Sequence, residues 1–157
     1  MPGMASSSGV DAWAAVLRLH AAMVPILDRE LQASSGMSIA WYDLLLKLYR
    51  SPDGRMSMNQ LGDASVLSRS RVSRLVDELV GAGMVTREAN PSDRRSSFAT
   101  LTDEGRARFR AAAPVHVASI ERHFSAYMTD AEAAVVAKAL TRVLEAQDAS
   151  NPPRPRS

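Results

Sequence analysis

The sequence contains no cysteine, and only 5% of its 157 residues are aromatic. The lack of cysteine excludes disulfide bonds, thiolate metal sites and redox sensing through cysteine. The scarcity of aromatic residues, in a chain dominated by alanine, leucine and valine, favours helices over a β-sandwich.

Signals for export and for membrane insertion are not evident either. The N-terminal stretch MPGMASSSG has neither the charged region nor the apolar run of a signal peptide. We also expect no segment to approach the roughly 20 apolar residues that a membrane span needs. The sequence therefore predicts a cytoplasmic protein with no membrane partner.

Residues suited to catalysis or to metal binding are few. The chain has three histidines, and His116 and His123 are too far apart to form an adjacent i, i+4 pair of metal ligands. It has no nucleophile elbow, no phosphate-binding glycine loop and no His-Glu motif. We expect no enzymatic activity, no metal and no cofactor.

Positive charge is concentrated in the middle of the chain. The formal net charge is only +2, but residues 55–110 carry ten arginines against seven acidic residues. Residues 1–54 carry four basic and five acidic residues, and residues 111–157 carry five of each. The placement of the charge, rather than its total, indicates a nucleic-acid partner.

Apolar spacing and capping residues predict six helices and one β-hairpin. A first helix begins near Ser8 and contains Pro25, which should kink or interrupt it. Four further helices begin after good N-cap residues, namely Ser38, Ser68, Thr102 and Thr129. The other predicted elements are a short helix at 58–64 and strands at 84–88 and 96–101. The helix after Thr102 should bury one stripe, formed by Phe109, Ala113, Val117, Ile120, Phe124 and Tyr127.

The helix that follows Ser68 is amphipathic. Its buried side is fixed by four apolar residues at i, i+3, i+4 and i+7, which are Val72, Leu75, Val76 and Leu79. Arginine can donate two hydrogen bonds to guanine, and serine suits bases or phosphates. The residues that would reach a major groove are Ser68, Arg69, Ser70, Arg71, Ser73 and Arg74. The alternative is an ordinary amphipathic helix with a solvated basic face.

A basic turn follows this helix. The loop NPSDRRSS joins the two predicted strands and places Asp93, Arg94 and Arg95 at the tip of a hairpin. A short helix, a turn, an arginine-bearing helix and a basic hairpin together are typical of a domain that holds both grooves of a duplex. We therefore predict that double-stranded DNA is a partner.

Residues 67–106 resemble the recognition helix and wing of MarR-type winged helix-turn-helix transcription regulators, and the resemblance extends from about Val10 to Leu144. Its most specific part is Asp-x-Arg followed by Leu-Thr-x-x-Gly, formed here by Asp93, Arg95, Leu101, Thr102 and Gly105. The resemblance implies that Arg95 enters the minor groove, with Asp93 placed to orient it. Arg94 is an added basic residue that could take a phosphate instead. It also implies a homodimer whose interface is formed by helices from both ends of the chain.

The chain departs from the family pattern at Gly62, where such a helix-turn-helix usually has alanine. A glycine inside a helix costs roughly 1 kcal/mol, so we expect a slightly weaker helix with the same packing.

The resemblance also implies a small aromatic or phenolic ligand, bound between the dimer helices and the winged domain. The matching candidates are Trp13, His20 and Trp41 on the first two helices. The alternative is that these side chains serve only core or interface packing.

The predicted architecture is mainly α-helical with a small β-hairpin wing. It comprises a flexible N-terminus (1–9), a helical dimerisation region (10–35 and 104–148), a winged helix-turn-helix domain (38–103) and a disordered tail (149–157). The predicted function is a ligand-responsive repressor that binds a pseudo-palindromic operator as a homodimer. The alternative is a winged-helix protein-interaction module that does not bind DNA.

Overall fold

The computed structural model describes residues 8–91 and 93–150, without the side chains of residues 93–95 and 148–150. Residues 1–7 and 151–157, on which most of the predicted flexible N-terminus and disordered tail fall, lie outside this description. Residues 8 and 9 already belong to the first helix, and residues 149 and 150 still belong to the last one.

The described residues form six helices and three strands. The helices are α1 (Ser8–Ser35), α2 (Ile39–Arg50), α3 (Met58–Asp63), α4 (Arg69–Gly81), α5 (Asp103–His123) and α6 (Asp130–Ser150). The strands are β1 (Arg55–Ser57), β2 (Val85–Asn90) and β3 (Asp93–Leu101). Short 3₁₀ turns lie at Pro52–Gly54 and Ser125–Tyr127. The prediction of a mainly α-helical chain with a small β wing is confirmed.

The predicted N-caps are confirmed by their hydrogen bonds. The hydroxyl of Ser38 accepts from the backbone N–H of Trp41 at 3.2 Å, and that of Ser68 accepts from Arg71 at 3.3 Å. Thr102 caps α5, and Thr129 forms a capping box with Glu132 before α6. These side chains satisfy backbone donors that a helix start would otherwise leave without partners.

The sheet contains one strand more than the sequence predicts. Its order is β1-β3-β2, and both neighbours pair antiparallel with β3. Strand β1 has only three residues, too few to show an alternating pattern, so no sequence signal marks it. Its pairing places α3, which follows immediately, beside the base of the hairpin.

The hydrophobic core lies between α2, α4, α5 and the sheet. Leu44, Leu45 and Leu48 of α2 are fully buried, and so are Met84, which immediately precedes β2, and Ala99 of the central strand. Phe109 of α5 packs on Tyr42 and Tyr49, with ring centroids 5.1 and 4.8 Å apart. The winged unit is therefore built around the buried side of α4 and closed by α5.

Helix α1 continues through Pro25, so of the two outcomes predicted there the interruption does not occur. The predicted buried stripe of α5 is wrong. The buried side of α5 is formed by Gly105, Phe109, Ala112, His116 and Ser119, whereas Val117 is 49% and Tyr127 82% exposed. The predicted stripe leaves the buried side at Ala113 and Val117, because two successive steps of four residues turn by about 80° around a helix of 3.6 residues per turn. Its last two residues lie beyond the end of α5, since Phe124 leaves the helical conformation. The apolar residues on the outer side of α5, such as Val117, are therefore not packed into this chain's own core.

Helix α1 also corrects the expectation about apolar length. By length and composition it could cross a membrane, and it is the one such helix among the described residues. Counting consecutive apolar residues missed it, because isolated polar side chains such as Arg18 interrupt the run. A single helix of this kind is weak evidence for a span. In the structure α1 packs along α5.

A charged cluster joins α1 to α5. Glu30 accepts hydrogen bonds from the Ser119 hydroxyl and from Arg122 Nη1 at 3.0 Å, and its other oxygen lies 2.7 Å from His123 Nε2. These contacts, led by the hydrogen bond from Ser119 and then that from His123, lower the pKa of Glu30 to about 2. The cluster therefore holds the two helices together most strongly when Glu30 is ionised.

Gly105 lies where α5 crosses the start of the wing. A Cβ atom at this position would lie 2.0 Å from the carbonyl oxygen of Met84 and 2.9 Å from Leu101 Cδ1. The same carbonyl accepts from the Thr102 N–H at 3.1 Å, and the Thr102 hydroxyl donates to the Gly83 carbonyl at 2.7 Å. The close approach of two backbone segments therefore requires glycine here.

We expect Gly105→Ala to lower the free energy of unfolding by about 1–3 kcal/mol or more, because the added methyl group must displace backbone atoms of the neighbouring segment. Gly81→Ala is the matched control, because a Cβ atom there meets nothing within 4 Å. Urea unfolding should show that the control keeps or slightly raises stability. Equal midpoints for the two variants would contradict this account of Gly105.

The pKa of Glu30 predicts a dependence of stability on pH. Folding lowers this pKa from 4.5 to about 2, so the unfolded chain binds more protons at Glu30 as the pH falls. The contribution of Glu30 is complete above pH 4.5 and is lost between that value and about 2. Glu30→Gln should flatten the curve of unfolding free energy against pH in this range. Glu121→Gln, which removes an exposed carboxylate from α5, is the control and should leave the curve unchanged. Curves of the same shape for wild type and Glu30→Gln would refute the assignment.

Candidate nucleic-acid interface

Helix α4 has one buried and one exposed side. Val72, Leu75, Val76 and Leu79 are at most 1% exposed, which confirms the predicted helical phase. The other side exposes a set of polar and basic residues formed by Ser68, Arg69, Ser70, Arg71 and Arg74, with Ser73 half-buried. The turn of residues 64–68 separates α3 from α4, so the pair has the form of a helix-turn-helix.

The three arginines of α4 differ in their partners. Arg69 Nη2 donates to Asp63 Oδ1 at 2.7 Å, and its Nη1 lies 3.4 Å from Asn59 Oδ1. Among the side chains that the structure describes, none pairs with Arg71 or Arg74. Those two guanidinium groups project from the first two turns of α4 without an ion pair to any of these described side chains.

Gly62 accounts for the course of the Arg69 side chain. A Cβ atom at Gly62 would lie 3.2 Å from Arg69 Cγ, which is tighter than ordinary van der Waals contact. The methylene groups of Arg69 therefore cross α3 over this glycine before the guanidinium reaches Asp63. The departure from alanine at this position thus has a packing consequence that the sequence alone did not show.

The hairpin projects beyond α4. Strands β2 and β3 pair from Val85↔Leu101 to Ala89↔Ser97, and the register shifts between Ala89 and Asn90. The predicted wing residues Asp93, Arg94 and Arg95 belong to β3, but their side chains lie outside the described part of the structure. Their roles at the minor groove stay predictions.

Arg87, which sequence reasoning missed, connects the hairpin to α4. Its Nη1 donates to Asp77 Oδ1 at 2.6 Å and lies 3.4 Å from the Ser73 hydroxyl, and its Nε donates to the Ser97 hydroxyl at 3.0 Å. One signal could have found it. Arg87 follows Val85 by two residues, so alternation along β2 places it on the side that faces α4.

A second arginine lies on the opposite face of the sheet. Arg55 of β1 stacks over the ring of Phe98, with its guanidinium carbon 4.1 Å from the ring centroid. It also lies 3.5 Å from Glu88 of β2. Arg55 therefore spans all three strands, since Phe98 belongs to the central one.

The predicted ligand residues are not brought together. Trp41 lines a cleft of about 290 Å³ together with Gln32, Gly36, Ser38, Arg71, Leu75 and Glu78. Its indole Nε1 donates to Glu78 Oε2 at 2.9 Å, which links α2 to α4. Trp13 and His20 are exposed on α1 and are not among the residues that line this cleft. No group of three residues suited to holding a metal ion occurs in the described part of the chain.

Comparison with known proteins identifies the fold. The MarR family model matches residues 35–96. The crystal structure of Sco3205, a MarR family transcriptional regulator from Streptomyces coelicolor in complex with DNA, is 35% identical. The match covers 86% of this chain and 84% of the Sco3205 chain, with a TM-score of 0.80.

Two relatives from Bacillus subtilis (strain 168) match over shorter stretches. The HTH-type transcriptional repressor YetL is 29% identical over 113 residues, which is 72% of this chain and 67% of the relative. The uncharacterized HTH-type transcriptional regulator YkoM is 34% identical over 77 residues, and the match spans 50% of its length. The chain belongs to the MarR family, whose members are transcriptional regulators and not enzymes, as the sequence predicted.

Proposed function

We propose that this chain is a homodimeric, ligand-responsive repressor that acts in the cytoplasm on a pseudo-palindromic operator. The observation that carries the proposal is the exposed N-terminal half of α4, where Arg71 and Arg74 have no partner among the described residues. A helix that is fixed by four buried side chains and presents unpaired arginines is suited to enter a major groove.

In the proposed complex, residues 68–74 of each protomer lie in a major groove. Arg94 and Arg95 of the wing reach the flanking minor groove, and Asp93 orients Arg95. Two-fold symmetry then places the half-sites about 10 base pairs apart, one turn of the duplex. The relative Sco3205, which was solved with DNA, supports a DNA-bound role, and the repressor YetL supports repression.

Exposed apolar side chains support the homodimer. Trp13 and Leu17 of α1 are 61% and 51% exposed, and Val143 and Leu144 of α6 are 56% and 65% exposed. Adjacent large apolar residues on a protein surface mark interaction sites. We assign these faces of α1 and α6 to contact with a second copy of the chain.

The rival proposal is a winged-helix module that binds a protein and not DNA. It predicts neither DNA affinity that falls with salt nor any effect of the α4 arginines on such affinity. DNA fragments selected by the protein from the source genome supply the operator needed to compare the two proposals.

We expect Arg74→Ala to weaken operator binding. If Arg74 contacts a phosphate, the slope of log K against log salt should become less steep by about 0.9, and if it contacts a base, discrimination at one position should fall by about 1–3 kcal/mol. Fluorescence anisotropy at several salt concentrations measures both effects. Arg29→Ala removes the same charge from an exposed position of α1 and serves as the control. Equal affinity for Arg74→Ala and wild type at every salt concentration would favour the protein-interaction module.

We assign the proposed ligand to the Trp41 cleft, formed by the seven residues that line it. Its volume suits a molecule of one ring, the Trp41 indole offers an aromatic face, and the Arg71 guanidinium offers a partner for a carboxylate. An anion held there would compete with DNA for Arg71. Ligand binding and DNA release would then share one side chain, a coupling that requires different ligand affinities in the two states.

Hydroxybenzoate is a suitable probe of this cleft. In a Trp13→Phe background, Trp41 is the only tryptophan, since the sequence has two. We expect hydroxybenzoate to quench its fluorescence and to lower operator affinity, and Arg71→Gln to abolish the quenching. Unchanged operator affinity at saturating hydroxybenzoate would argue against a ligand-responsive site of this chemistry.

A further inference from the structure

We propose that Arg87 is a positioning residue that fixes the wing relative to α4, so that both grooves of the operator are contacted in one register. This inference rests on the proposed DNA binding and concerns the geometry of the same interface. We use the name Arg87 brace for the set formed by Arg87, Ser73, Asp77 and Ser97.

The geometry of the brace carries the argument. One guanidinium from β2 contacts two residues of α4 and one residue of β3, at 2.6, 3.4 and 3.0 Å. The planar guanidinium presents its donors in a fixed fork, so simultaneous contacts from β2 to two other elements, α4 and β3, define the relative orientation of the three. Lysine at this position would keep the charge but could not reproduce the fork.

The brace lies at the last regular part of the hairpin. Arg87 pairs with Ala99 and Ala89 pairs with Ser97, and beyond Ala89 the register shifts. The wing residues 93–95 follow this irregular segment, so the orientation of their backbone depends on what holds the strands below it. Arg87 and Ser97 hold these strands against α4 at that point.

The opposite face of the sheet has a different role. Arg55 contacts Phe98 and Glu88, which belong to the sheet itself. It therefore stiffens the three strands but does not attach them to α4. The attachment by hydrogen bonds comes from the face that carries Arg87.

The brace also changes the assignment of two residues on α4. Ser73 was predicted to contact DNA, and helical phase places Asp77 on the same outward side. In the structure the hydroxyl of Ser73 and the carboxylate of Asp77 both face Arg87. We infer that these two residues position the wing, and that Ser70, Arg71 and Arg74 make the contacts with DNA.

Removal of the Asp77 charge separates positioning from electrostatics. Asp77→Asn takes a negative charge away from the DNA-facing side, so simple charge repulsion predicts tighter binding. The brace predicts weaker binding, by about ten-fold, because a charged hydrogen bond is lost and the wing is released. Glu88→Gln removes a carboxylate from the other face of β2 and is the matched control, for which we expect unchanged or tighter binding.

Salt dependence distinguishes Arg87 from a direct DNA contact. Arg87→Met and Arg87→Lys should both weaken operator binding about ten-fold, with the slope of log K against log salt unchanged. If Arg87 touched a phosphate, Arg87→Met would lower the slope by about 0.9. The double variant Arg87→Met with Asp77→Asn should bind no more weakly than either single variant, since both break the same brace. Additive losses, or a lower slope, would overturn the assignment.

A measurement without DNA tests the brace itself. Because the chain has no cysteine, Val80→Cys on α4 and Ala89→Cys on β2 are the only spin-labelling sites in each protomer. Mixing labelled chain with an excess of unlabelled chain leaves at most one labelled protomer in most of the proposed dimers. We expect the distance distribution between the two labels to broaden in Arg87→Met and Arg87→Lys. An unchanged distribution would overturn the proposal even if operator affinity fell. If the wild-type protein selected no DNA fragments, the proposed function would be overturned, while the label distances would still decide whether the brace exists.

Discussion

The arrangement of the interface depends on the burial of one side of α4. Val72, Leu75, Val76 and Leu79 are almost completely removed from solvent. Each buried side chain of this size contributes roughly 1.5–3 kcal/mol, and a rotation of α4 by one residue would replace several of these contacts with polar groups. The exposure of Ser70, Arg71 and Arg74 is therefore a consequence of packing on the opposite side. The residues that we propose to face DNA need no contacts of their own to hold them outward.

The ion pairs around α4 act on geometry more than on stability. Asp63 and Arg69 are 51% and 69% exposed, and the pair of Arg87 with Asp77 is also partly solvated. Solvated pairs of this kind contribute about 0–1 kcal/mol, so an arginine in such a pair can exchange its carboxylate partner for a phosphate at little cost. Arg69 can therefore still turn toward DNA, as predicted, by leaving Asp63. Arg87 differs because two serine hydroxyls hold it in addition to the carboxylate.

The sequence predicted those parts of the fold that follow from local pattern. The N-caps at Ser38, Ser68 and Thr102 and the phase of α4 depend on residues within one or two turns, so reading neighbours along the chain was sufficient. Strand β1 and the buried side of α5 depend on contacts between distant segments. Arg55 pairs with Thr100, and Gly105 meets Met84, across separations that no periodicity reports. The partners of Arg87 lie ten to fourteen residues away in the chain, so the sequence did not show them, although alternation along β2 places Arg87 on the side that faces α4.

Contacts between distant segments would also carry a signal from the proposed dimer interface to α4. The outer faces of α1 and α6 carry the exposed apolar residues, while Glu30 ties α1 to α5 through Ser119, Arg122 and His123. Helix α5 in turn crosses the start of β2 at Gly105, without room for even a methyl group. A shift of the dimer helices would therefore displace the sheet through closely packed backbone. It would displace α4 through two contacts, the hydrogen bond between Trp41 and Glu78 and the contact of Arg87 with Asp77. Closely packed segments move between discrete arrangements and do not deform gradually. The spacing of the two proposed recognition helices would then switch between states, which is what a repressor that must release its operator requires.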